Sequence, residues 1–297
     1  MGDDVAAMAT DRLDDLPERA RDLLRGATDI HVHFAPDPFA ERRMDARDLV
    51  RQAGEAGMAG LVLKSHEYPT QPLAWALASA DGAPEVALYG GLSLDHAAGG
   101  LNVDALEVSL RLGARVVWMP TFDAEQWRNY RPQMVHSAKP GIEVVDGDGA
   151  LLPVMHEILD LLSEYDAVLA SGHLSTAETA TLVTEARRRE LRTVITHAAF
   201  WIPVELQQRL AALGAFVEQC GGPTFHEGAE DAAAGIFEQV RAVGPQQVIL
   251  STDLGQAANP DPPYGFGLWI DSALDAGFSA AEVGRMVRDN PRTLLVA

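Results

Sequence analysis

The chain has 297 residues, long for an ordinary domain and normal for one (β/α)₈ barrel. A hydrophobic content of 47% can build a sizeable core, and a net charge of −20 argues against nucleic acid or an anionic membrane surface as partner. The single cysteine, Cys220, excludes an intrachain disulfide and fits a reducing cytoplasm.

Residues 1–25 are acidic, lack the apolar centre of a signal peptide and read as a helical extension ahead of one domain over 26–297. No run of about 18 apolar residues occurs, so no membrane span is expected. The expectation is a soluble, cytoplasmic protein whose partner is a small molecule, with no nucleic acid and no membrane. Assembly into a homo-oligomer is left open.

The first strand is TDIHVHF (28–34), followed by a helix-like segment over 45–57 that ends in Gly57. GLVLKS (60–65), VALYGGLSL (86–94) and ARVVWMPT (114–121) are the next strands. A long connection, 122–152, then contains GIEVVDGDGALLP, read as a small hairpin turning at Asp146 to Gly149. The fifth strand, AVLASGH (167–173), leads into an amphipathic helix over 176–192 with Ser175 or Thr176 as N-cap. TVITHA (193–198), AFVEQC (215–220) and QVILSTD (247–253) complete the set. The segment 255–269, rich in Pro, Gly and aromatics, reads as a substrate-facing loop or a rigid surface connection. Most strands begin with a continuous apolar run, as a strand buried on both faces of a parallel sheet must. Eight strand–helix alternations predict an α/β chain, a (β/α)₈ TIM barrel with a small hairpin insertion after strand four. A doubly wound open sheet is the alternative.

The nine histidines do not fall at random on this frame. His31 and His33 end strand one, His66 lies just past strand two, His173 ends strand five, His197 strand six, and Asp253 ends strand eight. In a barrel these ends converge on one face. The i, i+2 spacing lets His31 and His33 share the inner side, with Ile30 and Val32 expected to pack outward. One such histidine means little, but four His and one Asp around one point suit Zn²⁺, Mn²⁺ or Fe²⁺.

This ordered pattern resembles the amidohydrolase superfamily of metal-dependent hydrolases. DIHVH is similar to its HxH signature, SGH (171–173) and ITH (195–197) to its histidines on strands five and six, and STD (251–253) to its strand-eight aspartate. NPRTLL (290–295) is similar to the Asn-Pro segment that often closes these barrels. The resemblance implies a divalent transition metal, zinc first with Mn or Fe as alternatives, one or two per chain. It implies that His31, His33 and Asp253 hold one metal, and that His173 and His197 hold a second or complete a single site. Asp253 would also be catalytic, taking the proton from an attacking water and passing it to the leaving group.

Strand four departs from the family, since VVWMPTF (116–122) offers no bridging acid or lysine. Lys64 is expected to take over as a carbamate, serving as metal ligand and catalytic group, or else to contact the substrate; pairing with Asp29 or Glu67 is the plainer alternative. Glu218 is the reserve bridge, if it rather than Gln219 faces inward. His66, Arg43 and His136 are candidate substrate contacts, with Arg42 beside them. His96, His156 and His226 are assigned to structure or solvent, Trp118 and Met119 to the core, and Cys220 to an inert position. No extra glutamate stands beside His173 or His197, so deamination ranks below hydrolysis. The expected reaction is hydrolysis of an amide, cyclic amide, lactone or ester bond of a small molecule by metal-activated water. Phosphoester hydrolysis and metal-dependent decarboxylation or lyase chemistry on the same barrel are the alternatives.

Overall fold

A computed structural model describes residues 11–82, 85–134, 137–226 and 230–296. Eight parallel strands lie in chain order: β1 (Thr28–Val32), β2 (Gly60–Leu63), β3 (Ala87–Ser93), β4 (Ala114–Trp118), β5 (Val168–Ala170), β6 (Thr193–Ile195), β7 (Phe216–Cys220) and β8 (Val248–Ser251). β8 closes back on β1 through Asp253 N–H to His31 C=O (2.9 Å) and His33 N–H to Leu254 C=O (2.8 Å). The result is a (β/α)₈ barrel, and the open-sheet alternative falls.

The first helices are α1 (Glu18–Leu24), α2 (Ala46–Glu55), α3 (Gln71–Ala78), α4 (Val103–Arg111), α5 (Glu125–Tyr130) and α6 (Pro153–Glu164). They are followed by α7 (Thr176–Arg188), α8 (Val204–Ala212), α9 (Glu230–Val243), α10 (Pro262–Asp275), α11 (Ala280–Gly284) and α12 (Asn290–Leu295). α1, within the N-terminal extension, docks on α10, where Arg19 reaches Asp271 and Asp275, both at 2.6 Å. Among the described residues no helix is long and apolar enough to cross a membrane.

Strand residues alternate between two apolar layers. One set, including Leu61, Leu63, Val217 and Leu250, packs outward under the helices. The other, including Val62, Val116, Trp118, Val168, Val194 and Ile249, fills the lumen, with Leu294 and Leu295 of α12 packed into the same cluster. Asn290 fixes α12 there by donating to Pro245 C=O (2.8 Å) and Val248 C=O (2.6 Å).

β1 breaks the alternation. Asp29 pairs with Leu61 and Val32 with Leu63, so β1 spends one residue more than β2 over the same length, a β-bulge. Ile30 consequently joins the lumen cluster instead of packing outward, and His31 is turned inward as well. This corrects the outward placement expected for Ile30.

The small hairpin is present in the long connection: Val145 and Leu151 form an antiparallel bridge, Leu152 N–H donates to Val144 C=O (3.0 Å), Asp146 N–H donates to Ala150 C=O (2.8 Å), and the turn falls at Asp146 to Gly149. The same connection also carries α5. It is anchored through Glu178, which closes a capping box with Ser175 at the start of α7 and accepts Val144 N–H at 2.9 Å. The segment after β8 becomes helical from Pro262, burying Phe266 and Trp269.

Gly172, between β5 and His173, has φ +61°, and a Cβ there would sit 2.4 Å from Met119 O. Gly172→Ala is expected to cost about 3 kcal/mol or more, from left-handed strain plus overlap with backbone. Urea unfolding should show a lower midpoint at unchanged slope; an unaltered midpoint would refute the assignment.

Candidate metal centre

The strand ends deliver their polar side chains to one face. Lys64 and His66 lie at the mouth beside His31 and His33, with His173, His197, Glu218 and Asp253 completing the ring; all except Asp253 are buried as whole residues. Asp253 Oδ1 lies 3.2 Å from His31 Nε2 and 3.1 Å from His33 Nε2. The His197 ring lies 5.8 Å from that of His31 and 4.8 Å from that of His173.

Glu218 sets how His31 is presented. Its parity is resolved inward, while Gln219 turns outward to Gln207 of α8. Its oxygens face His31 Nδ1 at 3.2 and 3.3 Å and accept the Ser251 hydroxyl (2.8 Å) and the His197 N–H (2.9 Å). Nδ1 therefore carries a proton, and Nε2 is the ring nitrogen turned to the centre. A carboxylate so occupied is not a spare bridging ligand, which corrects that expectation for Glu218. A second group of donor atoms, from His31, Glu218 and Cys220, lies within 4.8 Å. Burial pushes the Cys220 thiol well up, so it stays protonated and is a poor ligand.

Charge in the centre follows from burial and neighbours. Burial opposes ionisation of Asp253, but His31 and His33 hold its carboxyl well below the usual carboxylate range. Glu218 falls to about 2 for the same reason, with burial opposing and His31 prevailing. Burial lowers His33 to about 3 and His197 to about 4, and drives His66 and His173 well below their ordinary value. These four rings are neutral and present lone pairs. His31 is the exception: burial and Lys64 lower it, yet Asp253 and Glu218 raise it to about 9.

Lys64 Nζ stands 2.9 Å from His31 Nε2 and 5.3 Å from the centroid of the Trp118 ring. Burial lowers the amine, with Asp253 and Glu218 opposing. An ammonium and an imidazolium cannot both direct N–H at each other across 2.9 Å, so this pair holds a single positive charge. The plainer expectation for Lys64 is overturned, because Asp29 is taken by Thr252 and Glu67 meets Ser65.

The donor set fits a divalent metal. In a coordination tetrahedron with metal–ligand bonds of about 2.0 Å, ligand atoms are about 3.3 Å apart, close to the 3.1 and 3.2 Å found here. Buried Nδ1 atoms of His33, His173 and His197 have no hydrogen-bond partner among the described residues. Such atoms are costly unless something else engages them. Two residues in the ring, His197 and Asp253, also hold positive φ (27° and 53°) without being glycine, a strain that clusters at functional sites.

Above the centre lies a cavity of about 370 Å³ whose walls include Phe39, Phe122, Trp127, Met134 and Phe200, with Arg42, Gln133 and Gln256. This aromatic wall was not anticipated, because it is assembled from the loops after β1, β4 and β6 and from α5, which carry no strand signal. Arg42 reaches the cavity with its guanidinium held by Asp37 at 2.6 Å. Arg43 does not line it: Asp261 holds its Nε at 2.6 Å on the outer side of the loop, which corrects its expected substrate contact. His136 lies outside the described residues. His96 Nε2 donates to Pro140 C=O (2.8 Å), and His156 Nδ1 accepts from Arg189 (2.9 Å).

Comparison with known proteins agrees with this architecture. A family profile described as "Family of unknown function (DUF6282)" matches residues 26–218. No curated protein matches. Among solved structures, an amidohydrolase from Pseudomonas aeruginosa is similar at TM-score 0.65 and 13% identity, over 94% of this chain and 97% of that one. A lactonase from Listeria monocytogenes follows at 0.63 and 14%, over 91% and 94%. An amidohydrolase from Burkholderia multivorans with bound zinc gives 0.60 and 14%, over 91% and 98%.

Proposed function

As the chain belongs to the family described as of unknown function (DUF6282) and has the barrel fold of amidohydrolases, we propose that it is a metal-dependent hydrolase. Its reaction is the addition of water to an amide, cyclic amide, lactone or ester bond of a small molecule. The observation that carries this is the approach of His31 Nε2 (3.2 Å) and His33 Nε2 (3.1 Å) to the same oxygen, Asp253 Oδ1, beneath an aromatic-walled cavity.

His31, His33 and Asp253 would hold the ion, zinc first, with His173 and His197 for a second. Bound there, it would polarise the scissile carbonyl and lower the pKa of a water molecule. Asp253, ionised and facing the cavity, takes the proton from the attacking water and returns it to the leaving group. Phe122, Trp127 and Phe200 exclude bulk water and give the substrate an apolar seat. Lys64, desolvated and with a lowered pKa, is the residue to react with carbon dioxide. A new N–C bond forms, a proton leaves to solvent, and the resulting carbamate supplies the acid that β4 lacks. Phosphoester hydrolysis ranks behind, because Arg42 and Arg43 are each already paired with an aspartate.

The test is metal content together with turnover. Protein from zinc-supplemented expression should carry at least one ion per chain and hydrolyse members of a panel of esters, lactones and amides. Chelation should abolish turnover, and added zinc should restore it. Wild-type protein that binds no transition metal under these conditions sinks the reading.

A further inference from the structure

His66 is held more rigidly than a surface contact needs. Its ring is stacked on Phe122 (centroids 3.9 Å, 14°) and on His33 (4.9 Å, 18°). Its Nδ1 lies 2.6 Å from Thr121 Oγ1. That hydroxyl contacts Asp95 Oδ2 at very short range, while Asp95 Oδ1 accepts the backbone N–H groups of Thr121 (2.8 Å) and Asp123 (2.9 Å). Asp95, Thr121 and His66 are all buried.

Burial raises Asp95 to about 7, while the Thr121 hydroxyl and the backbone N–H groups of Asp123 and Thr121 oppose that shift by holding the ionised form, which can only accept. Thr121 therefore gives its single proton to Asp95 and turns a lone pair to His66. Nδ1 must be the protonated ring nitrogen, and in a neutral ring Nε2 is left as an acceptor. Nε2 has no hydrogen-bond partner among the described residues, and His66 lines both the cavity of the metal centre and an adjoining one of about 600 Å³.

We propose that Asp95 and Thr121 lock His66 as a hydrogen-bond acceptor, so that the site selects substrates presenting an N–H or O–H donor beside the scissile carbonyl. Cyclic amides with a free N–H are then preferred over lactones or N-alkylated amides of the same shape. The inference deepens the hydrolase reading and rests on it for the identity of the scissile bond. His66 is a specificity-determining residue here, and Thr121 and Asp95 are positioning residues.

The experiment uses zinc-loaded full-length protein and the probes glutarimide and N-methylglutarimide. Wild type should bind glutarimide about 10- to 100-fold tighter, the effect of leaving one buried acceptor unpaired. Nitrogen-15 NMR of labelled histidine, assigned by loss of the signal in His66→Gln, should show His66 protonated at Nδ1. Thr121→Val removes the hydroxyl at constant shape and should bring the two probes within about threefold of each other. Asp95→Asn is the sharper variant. Its amide donates to Thr121, reverses the hydroxyl, moves the His66 proton to Nε2 and should invert the preference. An Nε2-protonated His66 in wild type, equal binding of the probes, or binding of neither overturns the proposal. Metal loading and ester hydrolysis without donor preference would refute this inference and leave the hydrolase reading intact. The reverse, an Nδ1-protonated His66 in a protein that loads no metal, supports the lock and refutes the hydrolase reading.

Discussion

Asp253→Asn leaves the barrel folded and lowers turnover by about 10³-fold or more, in line with loss of a general base together with a ligand charge. The substitution is chosen for its backbone. Asp253 has φ 53°, a region Asn enters more readily than any other non-glycine residue of similar size. Asp253→Ala would add strain to the loss of the carboxylate and blur the result. The asparagine variant keeps an oxygen for His31 and His33 but cannot take a proton from water. Steady-state kinetics with circular dichroism would check it, and a folded variant with turnover within tenfold of wild type would remove Asp253 from the chemistry.

Lys64→Met reduces bound metal by one ion per chain and lowers turnover by about a hundredfold, the scale seen when a group supporting a metal site is lost. Methionine fills the volume beside Trp118, so the outcome reports on the amine and not on a void. Burial and the contact with His31 leave Lys64 with two chemical futures, a shared proton or a carbamate. Carbon-13 NMR after incubation with labelled bicarbonate separates them, since only the carbamate places a new carbon on the nitrogen. Full metal content and full activity in Lys64→Met would exclude both the bridging and the catalytic role.

The eight strands were legible because most open on a continuous apolar run, and several close on a polar residue that water or a ligand must satisfy. His31, His33, His173, His197 and Asp253 were legible as strand-end residues for that reason, and the fold brings them to one mouth. What escaped depends on relations between strands. The bulge in β1 is a mismatch of counts between Asp29–Val32 and Leu61–Leu63, and no periodicity within β1 alone reveals that Ile30 faces inward. Glu218 and Gln219 were indistinguishable by pattern; the answer came from three donors gathered around one of them. Asp95, Thr121 and His66 lie on three different loops, so their alignment exists only after folding. Arg43 failed for a related reason, because its partner Asp261 lies 218 positions further along the chain.

The leucines of α12 have a bearing on traffic. With Leu294 and Leu295 seated in the lumen cluster with Ile30, Val62 and Ile249, the centre is a blind alley, reached from the mouth side. On the proposed reading, substrate and product would both pass the mouth, where Phe39, Met134 and Phe200 line the cavity. On that reading, arrival would wait for departure, and product would compete with substrate for the same passage.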